Sequence, residues 1–369
     1  MRYYIIAGEA SGDLHASNLM RELRAADPAA DFRCWGGDLM QAQGGVLVKH
    51  YRELAFMGFA EVLMNIRTIL RNLRFCKQDI MRYSPDVVIL VDYPGFNLRI
   101  AEFAHDNGLR TVYYISPQAW AWKESRVKTI KRVVDRMLVI LPFEVAFYQK
   151  HDYAAEFVGH PLLDALLHAP VIQTEGASDA KPVIALLPGS RKQEILTKLP
   201  VMLSMVDRFP GHRFVIAAAP SQELSFYKSL LNGIQVDIVQ GDTYGLLRRS
   251  TAALVTSGTA TLETALLKVP QVVCYKANRI SYIIARLLVK IRFISLVNLI
   301  MDREVVRELI QEDLNPDRLE TELRRILSVE GRNAQLKDYE ELRIRLGGSG
   351  ASGKAARAIL RLLDNSSVR

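Results

Sequence analysis

The apolar run Val87–Val91 stops at Asp92, and Tyr93-Pro94-Gly95-Phe96-Asn97 follows. A carboxylate at the carboxyl end of a buried strand, before a Pro-Gly turn, lies where a sheet presents groups for chemistry. Asp92 can take a proton from a hydroxyl nucleophile, or it can bond to the backbone of its own turn. The first apolar run leads into Gly8-Glu9-Ala10-Ser11-Gly12-Asp13, with a helix expected from about Leu14. Glycines permit a tight turn and a close ligand approach, and a helix start attracts anions. The spacing is not G-x-G-x-x-G, so the dinucleotide fingerprint is missing, and Asp13 reads equally as a helix cap. His15 is a second candidate base, while His160 in Gly159-His160-Pro161 reads as a site residue or a structural hydrogen-bonder.

In the second half, Leu186-Leu187-Pro188-Gly189-Ser190-Arg191 leaves a strand, and Glu194 opens the next helix. Gly189 lets the backbone turn sharply, and Arg191 is placed for a bidentate phosphate contact. Thr256-Ser257-Gly258-Thr259-Ala260-Thr261 joins another strand to a helix carrying Glu263. Small residues at a helix start leave amide N–H groups open to a diphosphate, and Glu263 can accept from a ribose diol or complement the helix dipole. Together the two loops point to a nucleotide site.

These loops need a scaffold that holds them at strand ends. Candidate strands are Tyr3–Ala7, Phe32–Trp35, Val87–Val91, Thr111–Ile115, Met137–Leu141 and Glu156–Val158. After a polar stretch the pattern restarts with Val183–Leu187, Phe214–Ala218, Val236–Val239, Ala252–Val255 and Gln271–Tyr275. Continuous apolar strands alternating with helices predict an α/β chain of two Rossmann-like, doubly wound domains with a cleft between them. The expected boundaries are 1–168, a linker at 169–181, a second domain at 182–346, and a Gly/Ser hinge with a terminal helix at 347–369. Gly348–Ala355 imitates a P-loop but follows a helical stretch and lacks the magnesium-binding hydroxyl, so it reads as a hinge before a helix at Lys354–Leu363.

The 369 residues carry 48 Lys and Arg against 40 Asp and Glu, a net charge of +8. That excess suits anionic lipid, nucleic acid or a phosphorylated substrate. Cys34, Cys76 and Cys274 have neither zinc nor redox spacing and read as free thiols in a reducing cytosol. The opening apolar run is too short for a signal-peptide core, and no apolar run reaches the ~20 residues of a membrane span. Two segments are basic and amphipathic. Ile66, Ile69, Leu70 and Leu73 lie beside Arg67, Arg71 and Arg74; Ile280, Ile284, Leu287, Leu288 and Ile291 lie beside Arg279, Arg286 and Lys290. Each stripe is a core face or a lipid-facing one. The indoles of Trp120 and Trp122 anchor their loop, cover a sugar face or meet a lipid interface, and Arg126, Lys128, Lys131 and Arg132 form a basic helix.

The blocks GEASGD (8–13), MGFAEVL (57–63), SPQAWAWKESR (116–126), LPFE (141–144), FVGHPLLDA (157–165), LLPGSR (186–191), SGTATLE (257–263) and SLVNLI (295–300) occur in order. In these the chain resembles lipid-A-disaccharide synthases over nearly its whole length. The resemblance implies a GT-B glycosyltransferase needing neither metal nor cofactor. It would join UDP-2,3-diacylglucosamine to 2,3-diacylglucosamine 1-phosphate through a β-1,6 bond, with inversion and release of UDP.

The resemblance makes Asp92 the general base and puts Glu9 and Ser11 in the functional first loop. It assigns Glu61 to the membrane-proximal acceptor region, and Arg191, Ser257, Gly258, Thr259, Glu263, Asn298, Glu304 and Gln311 to the UDP side. It further implies a cytoplasmic enzyme peripheral on the inner face of the inner membrane, contacting anionic lipid and no nucleic acid, with a homodimer left open. Relatives often carry an acid where this chain has Gly95. Two other readings remain: a GT-B UDP-sugar 2-epimerase, which would need no acylated acceptor, and a noncatalytic nucleotide-sugar binder, which would lack Asp92 and the first loop.

Overall fold

A computed structural model describes residues 1–54, 66–122, 124–168, 181–278, 282 and 292–364. Glu61, the second amphipathic segment and nearly all of the expected linker lie outside these residues. The chain forms two compact units, Met1–His168 with Leu346–Arg369, and Ala169–Arg345.

Unit 1 holds β1 (Arg2–Ala7), β2 (Asp31–Gly36), β3 (Val46–His50), β4 (Val87–Val91), β5 (Arg110–Tyr114), β6 (Arg136–Val139) and β7 (Ala155–Phe157). Its sheet order is β3-β2-β1-β4-β5-β6-β7. Unit 2 holds β8 (Val183–Leu187), β9 (Arg213–Ala218), β10 (Asp237–Gln240), β11 (Ser250–Thr256), β12 (Gln271–Tyr275) and β13 (Arg307–Ile310), ordered β10-β9-β8-β11-β12-β13. All pairings are parallel. Each sheet reverses its winding once, between β1 and β4 and between β8 and β11, and ligands of open α/β sheets collect at that switch point.

Helices α1 (Ala10–Ala26), α2 (Asp38–Ala42), α3 (Ile66–Tyr83), α4 (Pro94–Asp106), α5 (Ala119–Trp122), α6 (Arg126–Val133), α7 (Pro142–Gln149) and α8 (Leu162–His168) belong to unit 1. Unit 2 has α9 (Lys192–Leu203), α10 (Leu224–Ser229), α11 (Thr243–Arg248), α12 (Thr259–Leu266), α13 (Leu296–Met301), α14 (Pro316–Leu327) and α15 (Val329–Arg345). The chain then returns to unit 1 as α16 (Ala351–Asp364).

Strand residues alternate between two covered faces. Tyr4, Ile6, Val88, Leu90 and Tyr113 meet Cys76 and Ile80 of α3 and Phe96, Ile100 and Ala104 of α4 in one apolar cluster. A buried polar network ties α3 to this sheet. Asp79 accepts two bonds from the Arg33 guanidinium (2.8 and 2.7 Å) and one from the Tyr4 hydroxyl (2.8 Å), which itself accepts from the Trp35 indole (2.8 Å). With Asp79 only 1% exposed, every one of these bonds is needed to offset the cost of burying its charge.

Strands β3 and β13 were not anticipated. Both are edge strands, largely half-exposed and carrying Lys49, His50, Arg307 and Glu308, so they lack the apolar continuity of the central strands. Helix α1 starts at Ala10 rather than near Leu14, because Glu9 is extended and its carbonyl accepts from the Asp13 amide (2.9 Å). The expected hinge is a defined turn, with Gly347, Gly348 and Gly350 at positive φ. Asp164 accepts from the Gly350 and Ser352 amides (2.6 and 2.8 Å), so a carboxylate already occupies the place where a P-loop would hold phosphate. Helix α16 opens at Ala351, ahead of Lys354, and its Ala and Leu face packs on α1. Among the described residues no helix is long and apolar enough to cross a membrane.

Candidate active site and donor pocket

At the first switch point Ala7 of β1 pairs with Val91 of β4, so the next residues, Gly8-Glu9 and Asp92-Tyr93, leave the sheet side by side. Asp92 and Tyr93 both adopt left-handed backbone, φ 46° and 48°. For residues with a Cβ each such conformation costs about 1–3 kcal/mol and persists only where neighbours enforce it. Here they do. The Asp92 carbonyl accepts from the Tyr113 hydroxyl (2.6 Å) and the Asn97 amide (2.7 Å), while its N–H donates to the Tyr114 carbonyl (3.2 Å). The Tyr93 ring lies against the Cα of Gly8, where any side chain would collide with it, and stacks on Phe96 at 5.6 Å. The backbone is thus fixed, and the Asp92 carboxylate takes a hydrogen bond from the Tyr93 amide of its own turn.

Burial pushes the Asp92 carboxyl up to about 6, the charge of Glu9 adds to the rise, and the Tyr93 amide and Arg126 oppose it. Arg126, at the start of α6, belongs to the basic helix expected from sequence, but its guanidinium is half-buried and electrostatically tied to Tyr113 and Asp92. Val127, Ile130 and Val133 of that helix enter the core. Glu9 and Ser11 are exposed at the start of α1. Asp13 is not at the site: its carboxylate accepts from the Gly37, Leu39 and Met40 amides (2.8, 3.2 and 3.1 Å) and caps α2. His15 and His160 form another group. Burial lowers them to about 4 and about 3, and their charged neighbours are Asp164 and each other rather than Asp92. The His160 Nδ1 accepts from the Leu162 amide (3.2 Å), a structural role. Trp120 meets Phe143 edge-on at 4.9 Å and so anchors its loop.

The second switch point carries a pocket of about 400 Å³ lined by Gly189, Arg191, Glu194, Thr243, Thr256–Ala260 and Glu263, among others. That volume lies within the range of small-ligand sites. Gly189 sits at φ 117°, and a Cβ there would approach Glu194 Oε2 to 2.5 Å. Gly258, at φ 149° and with open space beside it, precedes α12 and lines the pocket with Ser257 and Thr259. The Arg191 guanidinium is exposed at the rim, 3.8 Å from the Glu194 carboxylate. Glu263 accepts from the Tyr244 hydroxyl (3.1 Å), and burial raises its carboxyl above the usual range.

Asn298, Glu304 and Gln311 are not among the residues that line this pocket. Asn298 is buried with its amide saturated: Nδ2 donates to the Val306 carbonyl (2.8 Å) and Glu308 (2.9 Å), and Oδ1 accepts from the Val305 and Val306 amides (2.8 and 3.0 Å). Gln311 clamps the Ala277 backbone through both its side-chain atoms (2.7 and 3.2 Å), and Glu304 is exposed and paired with Arg307 at 3.2 Å. Ser257 donates to the Ile294 carbonyl (2.8 Å), which ties the pocket loop to the segment before α13. Asn97, Tyr113, Arg126, Thr243 and Tyr244 were not singled out from sequence. Asn97 had a signal, its position five residues after Asp92; Tyr113 and Arg126 meet Asp92, and Thr243 and Tyr244 meet the Glu263 pocket, only through the fold of their own unit.

Paired doubly wound units with a nucleotide-sized pocket at a switch point are the architecture of GT-B glycosyltransferases and sugar-nucleotide epimerases. The fold is similar to a UDP-GlcNAc 2-epimerase from Neisseria meningitidis bound to UDP-GlcNAc (TM-score 0.69, 12% identity, 98% of this chain and 100% of that one). It is also similar to the glycotransferase of kitacinnamycin (TM-score 0.68, 15% identity, 98% and 99%). The family described as lipid-A-disaccharide synthetase matches residues 3–361. Lipid-A-disaccharide synthases from Myxococcus xanthus (41% identical, 98% of this chain and 97% of the relative) and Geobacter sulfurreducens (38%, 98% and 97%) are among its relatives. The chain belongs to the lipid-A-disaccharide synthase family, hexosyltransferases of lipid A biosynthesis.

Proposed function

We propose that the chain condenses UDP-2,3-diacylglucosamine with 2,3-diacylglucosamine 1-phosphate, giving the β-1,6-linked disaccharide 1-phosphate and UDP with inversion at the anomeric carbon. The observation that carries this reading is Asp92, a carboxylate on enforced left-handed backbone at a switch point and raised to about 6. An acceptor hydroxyl is a poor nucleophile, so its proton passes to Asp92 as its oxygen attacks the anomeric carbon. The bond from that carbon to the diphosphate breaks, and the electron pair leaves on UDP. Arg191 and the first-turn amides of α12 receive that growing charge, with Ser257, Gly258 and Thr259 shaping the loop. Glu263 accepts from the ribose diol. Asn298 and Gln311 act indirectly, through the backbone they hold, and Glu304 belongs to the UDP side by family resemblance alone. Glu9 keeps Asp92 basic, and Ser11 borders the acceptor; Glu61 belongs to the acceptor side by family resemblance alone.

The substrates' acyl chains require contact with lipid, and α3 offers a surface for it. Of its apolar stripe, Leu73 is buried and Ile69 packs on the core, whereas Ile66 and Leu70 are exposed next to Arg67, Arg71 and Arg74. Ile66, Leu70, Leu73, Arg74 and Lys77 line a groove of about 700 Å³. Each basic residue near an anionic surface contributes roughly 1 kcal/mol, so this end of α3 gives reversible, peripheral attachment.

The test supplies both substrates on anionic vesicles and weighs the product. A disaccharide 1-phosphate supports the reading, whereas epimerised UDP-GlcNAc or bound UDP without turnover overturns it. Changing Arg67, Arg71 and Arg74 together to Ser should release the protein from the vesicles without changing its UDP affinity.

A further inference from the structure

Helix α9 buries Ile195, Leu199, Met202 and Leu203, the spacing of an apolar stripe, and Lys198 lies within that stripe at 2% exposure. Isolating an ammonium from water costs several kcal/mol unless it is paired and hydrogen-bonded. Lys198 falls short of that. Among the described residues no carboxylate comes within ion-pair distance of its Nζ. Of its three N–H donors, one is used in a short hydrogen bond to the Thr256 hydroxyl, and the Tyr275 ring lies 5.9 Å from the nitrogen. Burial, with a smaller contribution from the charge of Arg191, lowers its affinity for a proton below the ordinary lysine range, against the opposing pull of Glu194 and Cys274. A core of this composition would be more stable with a methionine at the position, and such violations of the buried pattern concentrate at functional sites.

The acceptor of that one bond places the charge. Thr256 is the last residue of β11 and lines the pocket, and the chain passes directly from it into Ser257-Gly258-Thr259 at the start of α12. The ammonium therefore sits immediately behind the loop read above as the diphosphate cradle.

We infer that Lys198 is a positioning residue of the donor site: through Thr256 it fixes the loop after β11, and its buried charge is the counter-charge for a ligand's diphosphate. This rests on the proposed donor pocket. The buried ammonium has a hydroxyl but, among the described residues, no carboxylate within ion-pair distance, and an anion bound on the other side of the loop supplies the counter-charge. Arg191 and Lys198 thus hold the diphosphate from opposite sides, Arg191 from the exposed rim and Lys198 from the buried floor.

Calorimetry of UDP and of uridine with the full chain tests this, together with thermal melting of the free protein. Lys198→Met is expected to weaken UDP about tenfold (about 1.4 kcal/mol), to leave uridine affinity as it was, and to melt at or above the wild-type temperature. Thr256→Val should lose UDP affinity in the same way, and Thr256→Ser, which keeps the hydroxyl, should retain it. A purely structural lysine would show a lower melting temperature with UDP and uridine weakened equally, and that result overturns the inference. So does unchanged UDP affinity in Lys198→Met when Arg191→Ala has lost it. If Arg191→Ala and Glu263→Ala also bind UDP normally, the donor-pocket reading falls instead. Should Lys198→Met not fold, the Thr256→Val and Thr256→Ser pair decides: equal UDP affinity in the two rejects the role.

Discussion

At the β1/β4 switch point the left-handed residues are Asp92 and Tyr93, whereas at the β8/β11 switch point the loops turn on Gly189 and Gly258. The strand arrangement is the same and the local solutions are opposite. Unit 2 has to bring backbone amides close to a diphosphate, and side chains at Gly189 or Gly258 would stand in the way. Unit 1 has to aim a particular carboxylate, so it keeps the side chain and accepts strain, which the bonds from Tyr113 and Asn97 to the Asp92 carbonyl hold in place. The electrostatics divide in the same way. Glu9 beside Asp92 disfavours ionisation and makes a better base, while Arg191, Lys198 and the start of α12 favour an anion.

The largest effect that would break this contrast is Asp92→Asn. General-base catalysis contributes roughly 10²–10⁴ in rate, so kcat should fall by about that factor with UDP affinity unchanged. The folded-state carboxyl is raised, so above pH 6 the fold carries an anion it disfavours. A neutral amide removes that burden, and the variant should melt no lower than the wild type at pH 8. In the wild type the base must be ionised, so kcat/KM, which follows the free enzyme, should drop tenfold per unit below about pH 6 and level off above it. Full turnover in Asp92→Asn would remove Asp92 from the mechanism.

A smaller effect addresses the other half. Arg191→Ala and Glu263→Ala each delete a charged hydrogen-bonding group from the pocket, worth about 1.5–3 kcal/mol. Titration with UDP should show each binding ten- to a hundredfold more weakly, with the pH midpoint of kcat/KM still near 6. A shifted midpoint would mean that the two switch points are coupled, contrary to the division drawn here.

Sequence revealed the two switch points unequally. The central strands were legible because residues buried on both faces must be continuously apolar, and the loops because Gly8 and Asp92 follow such runs directly and Gly189 and Gly258 within three residues. The edge strands β3 and β13 were hidden by their polar, half-exposed residues. Arg126 and Tyr113 were hidden for another reason: they reach Asp92 from β5 and α6, and nothing in local spacing marks that approach. Asp13 misled because an acid at a helix start reads as that helix's own cap, whereas its carboxylate caps α2 across the sheet edge. Lys198 did leave a signal, a charge at a core position of α9, visible once the helix face is drawn.

The finest test concerns Gly95, the second residue of α4 and exposed, where a Cβ would meet nothing within 4 Å. An acid introduced there fits without strain. Gly95→Asp places a negative charge on the first turn of α4, a gain of about 0.3–1 kcal/mol with the helix dipole, and removes a glycine from a helix, about 0.5–1 kcal/mol more. The melting temperature should rise by a few degrees. The new carboxylate also stands three residues from Asp92, and a like charge disfavours the ionised base, adding to the effect of Glu9. The midpoint of the pH–rate profile should therefore move upward from about 6, by less than about one unit given the solvent at this exposed position. The plateau at pH 8 should stay where it was, because the base is fully ionised there in both proteins. An unchanged midpoint with a raised melting temperature would mean that solvent screens the new charge from Asp92. A downward shift would be incompatible with a carboxylate base raised by its acidic neighbours, and would leave the strain at Asp92 and Tyr93 without the purpose given to it here.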